Sequence, residues 1–152
     1  MIAWRICKKD YAEDPLSGMG GVYAAGRWNR RGKRILYAAG SPELCQLEIL
    51  VNVGQWELFE HYTLVKLEIK EQAIIRLDPE ALASDWRSNS VDTRDIGSQW
   101  LHDGVSVALE IPSVLTNYQN NYLLNPQHPD FATNVELVTQ EAFMFDSRLQ
   151  YQ

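Results

Sequence analysis

Thr63, Val65, Leu67 and Ile69 alternate with Leu64, Lys66 and Glu68, and a run with this period is the pattern of a strand packed on one face and wetted on the other. It commits the chain to a sheet with something lying over it. The other apolar runs are equally short. Trp4-Arg5-Ile6, the neighbourhood of Arg27-Trp28, Ile35-Leu36-Tyr37, Ile74-Ile75-Arg76-Leu77 ahead of Pro79, Val105 to Ile111 ahead of Pro112, Asn121-Tyr122-Leu123-Leu124 and Ala142-Phe143-Met144-Phe145 all read as strands. Arg30-Arg31-Gly32-Lys33 reads as the turn of a hairpin joining the second and third of these. Gly18-Met19-Gly20-Gly21 reads as a loop between two early strands, and with no Gly-Lys-Ser/Thr after it this is not a phosphate loop.

Helix signals are few. Ser41 can accept an orphan N–H, Pro42 suits the first helical position, and Glu43 complements the helix dipole. The helix is expected to run to about Val53, with Leu44, Leu47, Leu50 and Val51 at the spacing of a buried stripe. A second helix is expected from Thr93 to His102, with Ile96 and Trp100 one turn apart and Asp103-Gly104 as its stop. The sum is an α+β fold, strand-rich with mixed sheets and few helices. With 152 residues, 45% of them hydrophobic, a single domain over residues 1–152 is expected.

Several function classes are disfavoured. No apolar run approaches the roughly 18 residues of a membrane-spanning helix, and Met1-Ile2-Ala3-Trp4-Arg5 is unlike an export signal. Cys7 and Cys45 lack a His/Cys cluster, and His61, His102 and His128 lie far apart, so neither a disulfide framework nor a metal site is expected. A reducing cytoplasm fits this usage. A net charge of -6 argues against nucleic acid as a partner. Arg27, Arg30, Arg31, Lys33 and Arg34 nevertheless crowd one stretch, a local excess able to hold a small anion.

Glu48 is the most informative residue. It lies one turn from Leu44, Val51 and Asn52, so a carboxylate interrupts the inward face and must be bonded, paired or functional to offset its desolvation. The alternative is a helix rotated so that Glu48 is solvated. Arg27, between Gly26 and Trp28, can grip a phosphate or carboxylate in two-pronged fashion, or else simply cover Trp28. Tyr37, next to the helix start, can pack over a flat ligand or into a core. Ser113 after Pro112 can point into a cleft or shape a turn, and no histidine is placed to activate it. Arg30, Arg31, Lys33 and Arg34 read as a solvated hairpin tip, and Asn125 and His128 as parts of a rigid turn.

Taken in order, Gly26-Arg27-Trp28-Asn29 with Gly32, Leu36-Tyr37, Ser41-Pro42-Glu43-Leu44 leading to Leu47-Glu48, Ile96-Gly97 with Trp100-Leu101, Pro112-Ser113, Asn121-Tyr122-Leu123-Leu124-Asn125-Pro126 with His128-Pro129, and Phe145-Asp146 with Arg148-Leu149 resemble the RES domain family. Ala25 and Arg30-Arg31 depart from its pattern. The resemblance implies a fold similar to that of ADP-ribosyltransferases, with an NAD cleft. It implies that Glu48, Arg27, Tyr37 and Ser113 carry the chemistry, and that Arg27, Trp28, Tyr37, Ser113 and Asn121 bind NAD, which is substrate rather than cofactor. It further implies a toxin that depletes NAD by hydrolysing the nicotinamide–ribose bond, paired with a helix-turn-helix antitoxin. Transfer of ADP-ribose to a protein or metabolite is the nearest alternative, a catalytically silent binding module the next. Whether the chain forms a homo-oligomer is left open.

Overall fold

A computed structural model describes residues 1–54 and 61–149. In chain order the elements are β1 (Ile2–Lys8), α1 (Gly20–Tyr23), β2 (Leu36–Ala39), α2 (Pro42–Asn52), β3 (Tyr62–Ile69), β4 (Ile74–Arg76), α3 (Val91–Asp103), β5 (Ala108–Pro112), β6 (Asn120–Leu124), α4 (Phe131–Asn134) and β7 (Val135–Phe143). Among the described residues the strands form one mixed sheet in the order β4-β5-β6-β2-β1-β3-β7. Only β4 and β5 run parallel, joined through α3 as a parallel pair requires. The α+β expectation holds.

The alternating run occupies β3, with Thr63, Val65, Leu67 and Ile69 buried and Glu68 exposed. Leu64 is buried as well, because α2, Tyr62 and Phe145 cover that end of the outer face. The Ser41 hydroxyl caps α2 by accepting from the Leu44 N–H at 3.2 Å. Gly104 ends α3 in the left-handed conformation, φ 59°, where a side chain would be strained.

Five sequence readings are corrected. Arg27-Trp28 is not a strand and Arg30-Arg31-Gly32-Lys33 is not a hairpin tip, because this segment joins no ladder and the N–H groups of Trp28 and Arg30 donate to the hydroxyls of Tyr37 and Ser98 instead. The glycine cluster is partly helical, as α1. The stripe on α2 is rotated: Leu44 and Cys45 are buried, while Leu47 and Val51 are 46% and 59% exposed. A helix apolar on most sides carries no sharp periodic signal. The final strand begins at Val135, well before Ala142, since β7 is a sheet edge whose polar outer residues hide its period.

The sheet has a seam. β1 pairs with β3 over its whole length and β2 pairs with β6 from Leu36 to Ala39, but β1 and β2 meet at the single pair Trp4–Ala39. Where the backbone ladder stops, the Arg5 side chain crosses the gap and donates from Nη1 to the Tyr37 carbonyl at 3.0 Å.

Candidate active site

Along that seam lies a cleft of about 340 Å³, a volume in the range of small-molecule sites. Residues of β1 (Arg5, Ile6), β2 (Tyr37, Ala38, Ala39) and α2 (Cys45, Glu48, Ile49, Asn52) line one part, and the Gly26–Trp28 loop, the end of β5 with Val114, and Asn121 line the rest. Its charged side chains are Arg5, Arg27 and Glu48.

Glu48 follows Leu44 by four residues and Cys45 by three, which puts all three on one face of α2. Leu44 anchors that face in the core, and Cys45 donates from Sγ to the Trp4 carbonyl at 2.9 Å. The carboxylate is thereby delivered to the seam, where Oε1 accepts from Asn121 Nδ2 at 2.7 Å. Among the described residues Asn121 Oδ1 is buried without a partner, and so is Arg5 Nε. Leaving such groups unsatisfied costs about 1–3 kcal/mol each, so two on the walls of one cleft leave it with unused hydrogen-bonding capacity. Burial holds the Arg5 guanidinium below its usual pKa.

Arg27 reaches the same cleft from a loop seated by long-range bonds. Its carbonyl accepts from the fully buried Thr93 hydroxyl at 2.9 Å, and the Gly26 carbonyl accepts from Arg94 Nε at 3.0 Å. The Trp28 N–H donates to the Tyr37 hydroxyl at 3.1 Å, which itself donates to Asn29 Oδ1 at 2.6 Å. Arg27 Nη1 donates to the Trp86 carbonyl at 3.2 Å, and among the described residues the guanidinium has no carboxylate partner. A Cβ on Gly26 would lie 2.6 Å from both the Tyr37 hydroxyl and Asn29 Oδ1, so this glycine serves internal packing.

The cleft therefore brings together Glu48, Arg27, Tyr37 and Asn121. Tyr37 spends its hydroxyl within the protein, so its ring is what remains to meet a ligand. Trp28 lines the wall but is 2% exposed, packed among Trp86, Trp100 and Leu123. Ser113 stands behind the lining: it is wholly buried and its hydroxyl accepts from the Leu115 N–H at 3.1 Å, while Pro112 and Val114 face the cleft. Arg30 forms an ion pair with Asp95 on α3, whereas Arg31, Lys33 and Arg34 are exposed.

Sequence reasoning passed over Arg5, Asn29, Thr93 and Arg94. Arg5 had a signal: in an alternating strand it falls on the same face as the buried Ala3 and Cys7, where an arginine needs a reason. The other three act through contacts 66 or more residues apart in sequence for α3, or through a local turn for Asn29, and no spacing announces them.

Burial pushes the Cys45 thiol and the Tyr122 phenol each up to about 12, and the Tyr37 phenol further still. Each group keeps its proton in the folded chain at a pH where the unfolded chain has lost it, so folding is favoured less as pH rises. Stability should be intact below pH 9 and fall across the window from about 9 to about 12. Denaturant midpoints measured through that range check this; a midpoint that does not move would contradict it.

Among the described residues no helix is long and apolar enough to cross a membrane. The RES domain matches residues 2–146. The chain is 38% identical over 151 residues to a protein named Toxin Res from Photorhabdus laumondii, covering 98% of this chain and 97% of that one. It is 36% identical over 152 residues to Toxin Res of Yersinia enterocolitica, covering 99% and 100%. It is 32% identical over 153 residues to a Prs ADP-ribosylating toxin of Sphingobium sp., covering 96% and 94%. The solved M. tuberculosis MbcT-MbcA toxin-antitoxin complex contains a chain of the same fold, with a TM-score of 0.75 at 17% identity over 94% of this chain and 84% of that one. With a match over nearly its whole length and relatives of equal span, this chain belongs to the RES domain family.

Proposed function

We propose that this protein is the toxin of a toxin–antitoxin pair and that it consumes NAD by cleaving the nicotinamide–ribose bond. The observation that carries the reading is one carboxylate, Glu48, sharing a cleft with two arginines, Arg5 and Arg27, whose guanidinium groups pair with no acid among the described residues. Two cations suit a pyrophosphate and one anion suits a sugar cation. The relatives named toxins support the biological role.

The bond between nicotinamide nitrogen and ribose C1′ breaks with its electron pair going to nitrogen, so the leaving group departs neutral and needs no general acid. One carboxylate suffices, unlike ordinary glycoside hydrolysis with its pair. Glu48 stabilises the positive charge on the ribose and orients the attacking water, whose oxygen bonds to C1′ while its proton passes to solvent. Asn121 fixes the carboxylate, Arg27 and Arg5 hold the pyrophosphate, and the Tyr37 ring packs against nicotinamide or ribose. Ser113 and Trp28 support the wall. The cognate antitoxin, a helix-turn-helix protein in this reading, silences the toxin in the cytoplasm.

Transfer of ADP-ribose to an acceptor is the second reading, favoured by the relative named a Prs ADP-ribosylating toxin. The two share bond cleavage and differ only in what captures C1′. Purified protein incubated with adenine-labelled NAD, alone and with cell lysate, separates them: free ADP-ribose supports hydrolysis, label fixed on protein supports transfer, and intact NAD in both sinks the proposal. Arg27→Ala and Arg5→Ala should each weaken NAD binding by roughly ten- to a hundredfold, the worth of a charged hydrogen bond. Calorimetric titration showing parental affinity in either variant would remove that residue from the phosphate clamp.

A further inference from the structure

The loop between β4 and α3 supplies no side chain to the chemistry proposed above, yet two adjacent residues in it each hold a segment that lines the cleft. Trp86 is buried, its ring 6.2 Å from that of Trp28, and its carbonyl receives Arg27 Nη1 at 3.2 Å. Arg87 lies with its guanidinium carbon 4.5 Å from the Trp86 ring centre. From there its Nη1 donates to the carbonyls of Ser113 and Val114, both at 3.0 Å, and its Nη2 to Asn117 Oδ1 at 2.6 Å. Those acceptors belong to the turn after β5, and Val114 in that turn and Pro112 at the end of the strand line the cleft, as Arg27 does.

The loop is stiff enough to act as a fixture. The Asp85 carbonyl accepts from the N–H groups of Ser88 and Asn89 and from the Ser88 hydroxyl, at 2.9 to 3.0 Å. The turn it holds is also tied to the helix bearing Glu48, since Ser113 N–H donates to the Gln119 carbonyl at 3.3 Å and the Ser41 cap hydroxyl donates to Gln119 Oε1 at 2.9 Å.

We propose that Trp86 and Arg87 form a bracket that sets the width of the cleft, with Arg87 a positioning residue for NAD binding; this rests on the NAD reading above. An arginine with three neutral acceptors and an aromatic face is using planarity and donor number more than charge. Lysine keeps the charge and loses the fork. Loosening the bracket lets the Pro112–Val114 wall retreat from Arg27, which weakens binding before it touches the bond-breaking step.

Steady-state nicotinamide release by the full chain tests this in Arg87→Ala, Arg87→Lys, Asn117→Ala and the Arg87→Ala/Asn117→Ala double variant, with Arg31→Ala as the control. KM for NAD is expected to rise about tenfold in Arg87→Ala and at least threefold in Arg87→Lys, with kcat within about twofold of the parent. The double variant should lie close to Arg87→Ala alone, because the two residues share one interaction, and Arg31→Ala should match the parent. A purely structural role would lower the melting temperature and the active fraction, hence kcat, and leave KM where it was. Should Arg87→Ala fail to fold, Arg87→Lys and Asn117→Ala carry the decision. Parental KM in every folded variant of an active parent overturns the bracket alone; a parent that leaves NAD intact overturns the functional reading and the bracket with it.

Discussion

Glu48→Gln is expected to slow NAD consumption by at least about a hundredfold while melting close to the parent. Loss of a single group that stabilises transition-state charge in a preorganised site costs about this much. The substitution preserves volume, and the glutamine oxygen can still accept from Asn121 Nδ2, which now meets Glu48 Oε1 at 2.7 Å. What vanishes is the negative charge that the proposed reaction sets against C1′ as positive charge develops there. Glu48 is half-buried and no carboxylate stands beside it in the cleft lining, so nothing nearby can substitute. Nicotinamide release measured under single-turnover conditions isolates the bond-breaking step. Activity within a few-fold of the parent would remove Glu48 from the chemistry.

The second large effect is on stability. Gly97 lies in the middle of α3, and a Cβ there would sit 1.9 Å from the Trp28 carbonyl oxygen and 3.1 Å from the Trp28 Cβ. Neither helix nor loop can yield cheaply: Thr93 and Arg94 bind the carbonyls of Arg27 and Gly26 from the same helix. Gly97→Ala should therefore destabilise the fold by about 3 kcal/mol or more, the upper end of overpacking costs, despite alanine's better helix propensity. Gly104→Ala is the comparison. There the space is open and only the left-handed backbone resists, at about 1–2 kcal/mol. Urea midpoints rank the two, and a Gly97→Ala protein as stable as the parent would refute the close approach. NAD turnover should fall with folding, since the displaced Trp28 adjoins Arg27.

How much could be read in advance follows the range of the forces. The capped start of α2 at Ser41, the Gly104 stop of α3 and the strand at β3 depend on neighbours within a few residues, and all three appear where the sequence puts them, though Leu64 breaks the alternation under α2. Arg27's loop does not, because its backbone is satisfied by Thr93, Arg94 and Tyr37, partners that no local window contains. The face of α2 that carries Glu48 was legible from one misplaced charge, though Leu47 and Val51 pointed the stripe the wrong way. Ser113 shows the limit of reading a residue type at a strand end. A hydroxyl there can meet a ligand or cap a turn, and in this fold it does the second.

The seam between β1 and β2 gathers its groups from Arg5 at one end of the chain to Asn121 far along it. Any single peptide-bond cut between those positions leaves two pieces, neither of which holds Arg5, Arg27, Glu48 and Asn121 together. A fragment released by such a cut therefore carries an incomplete cleft.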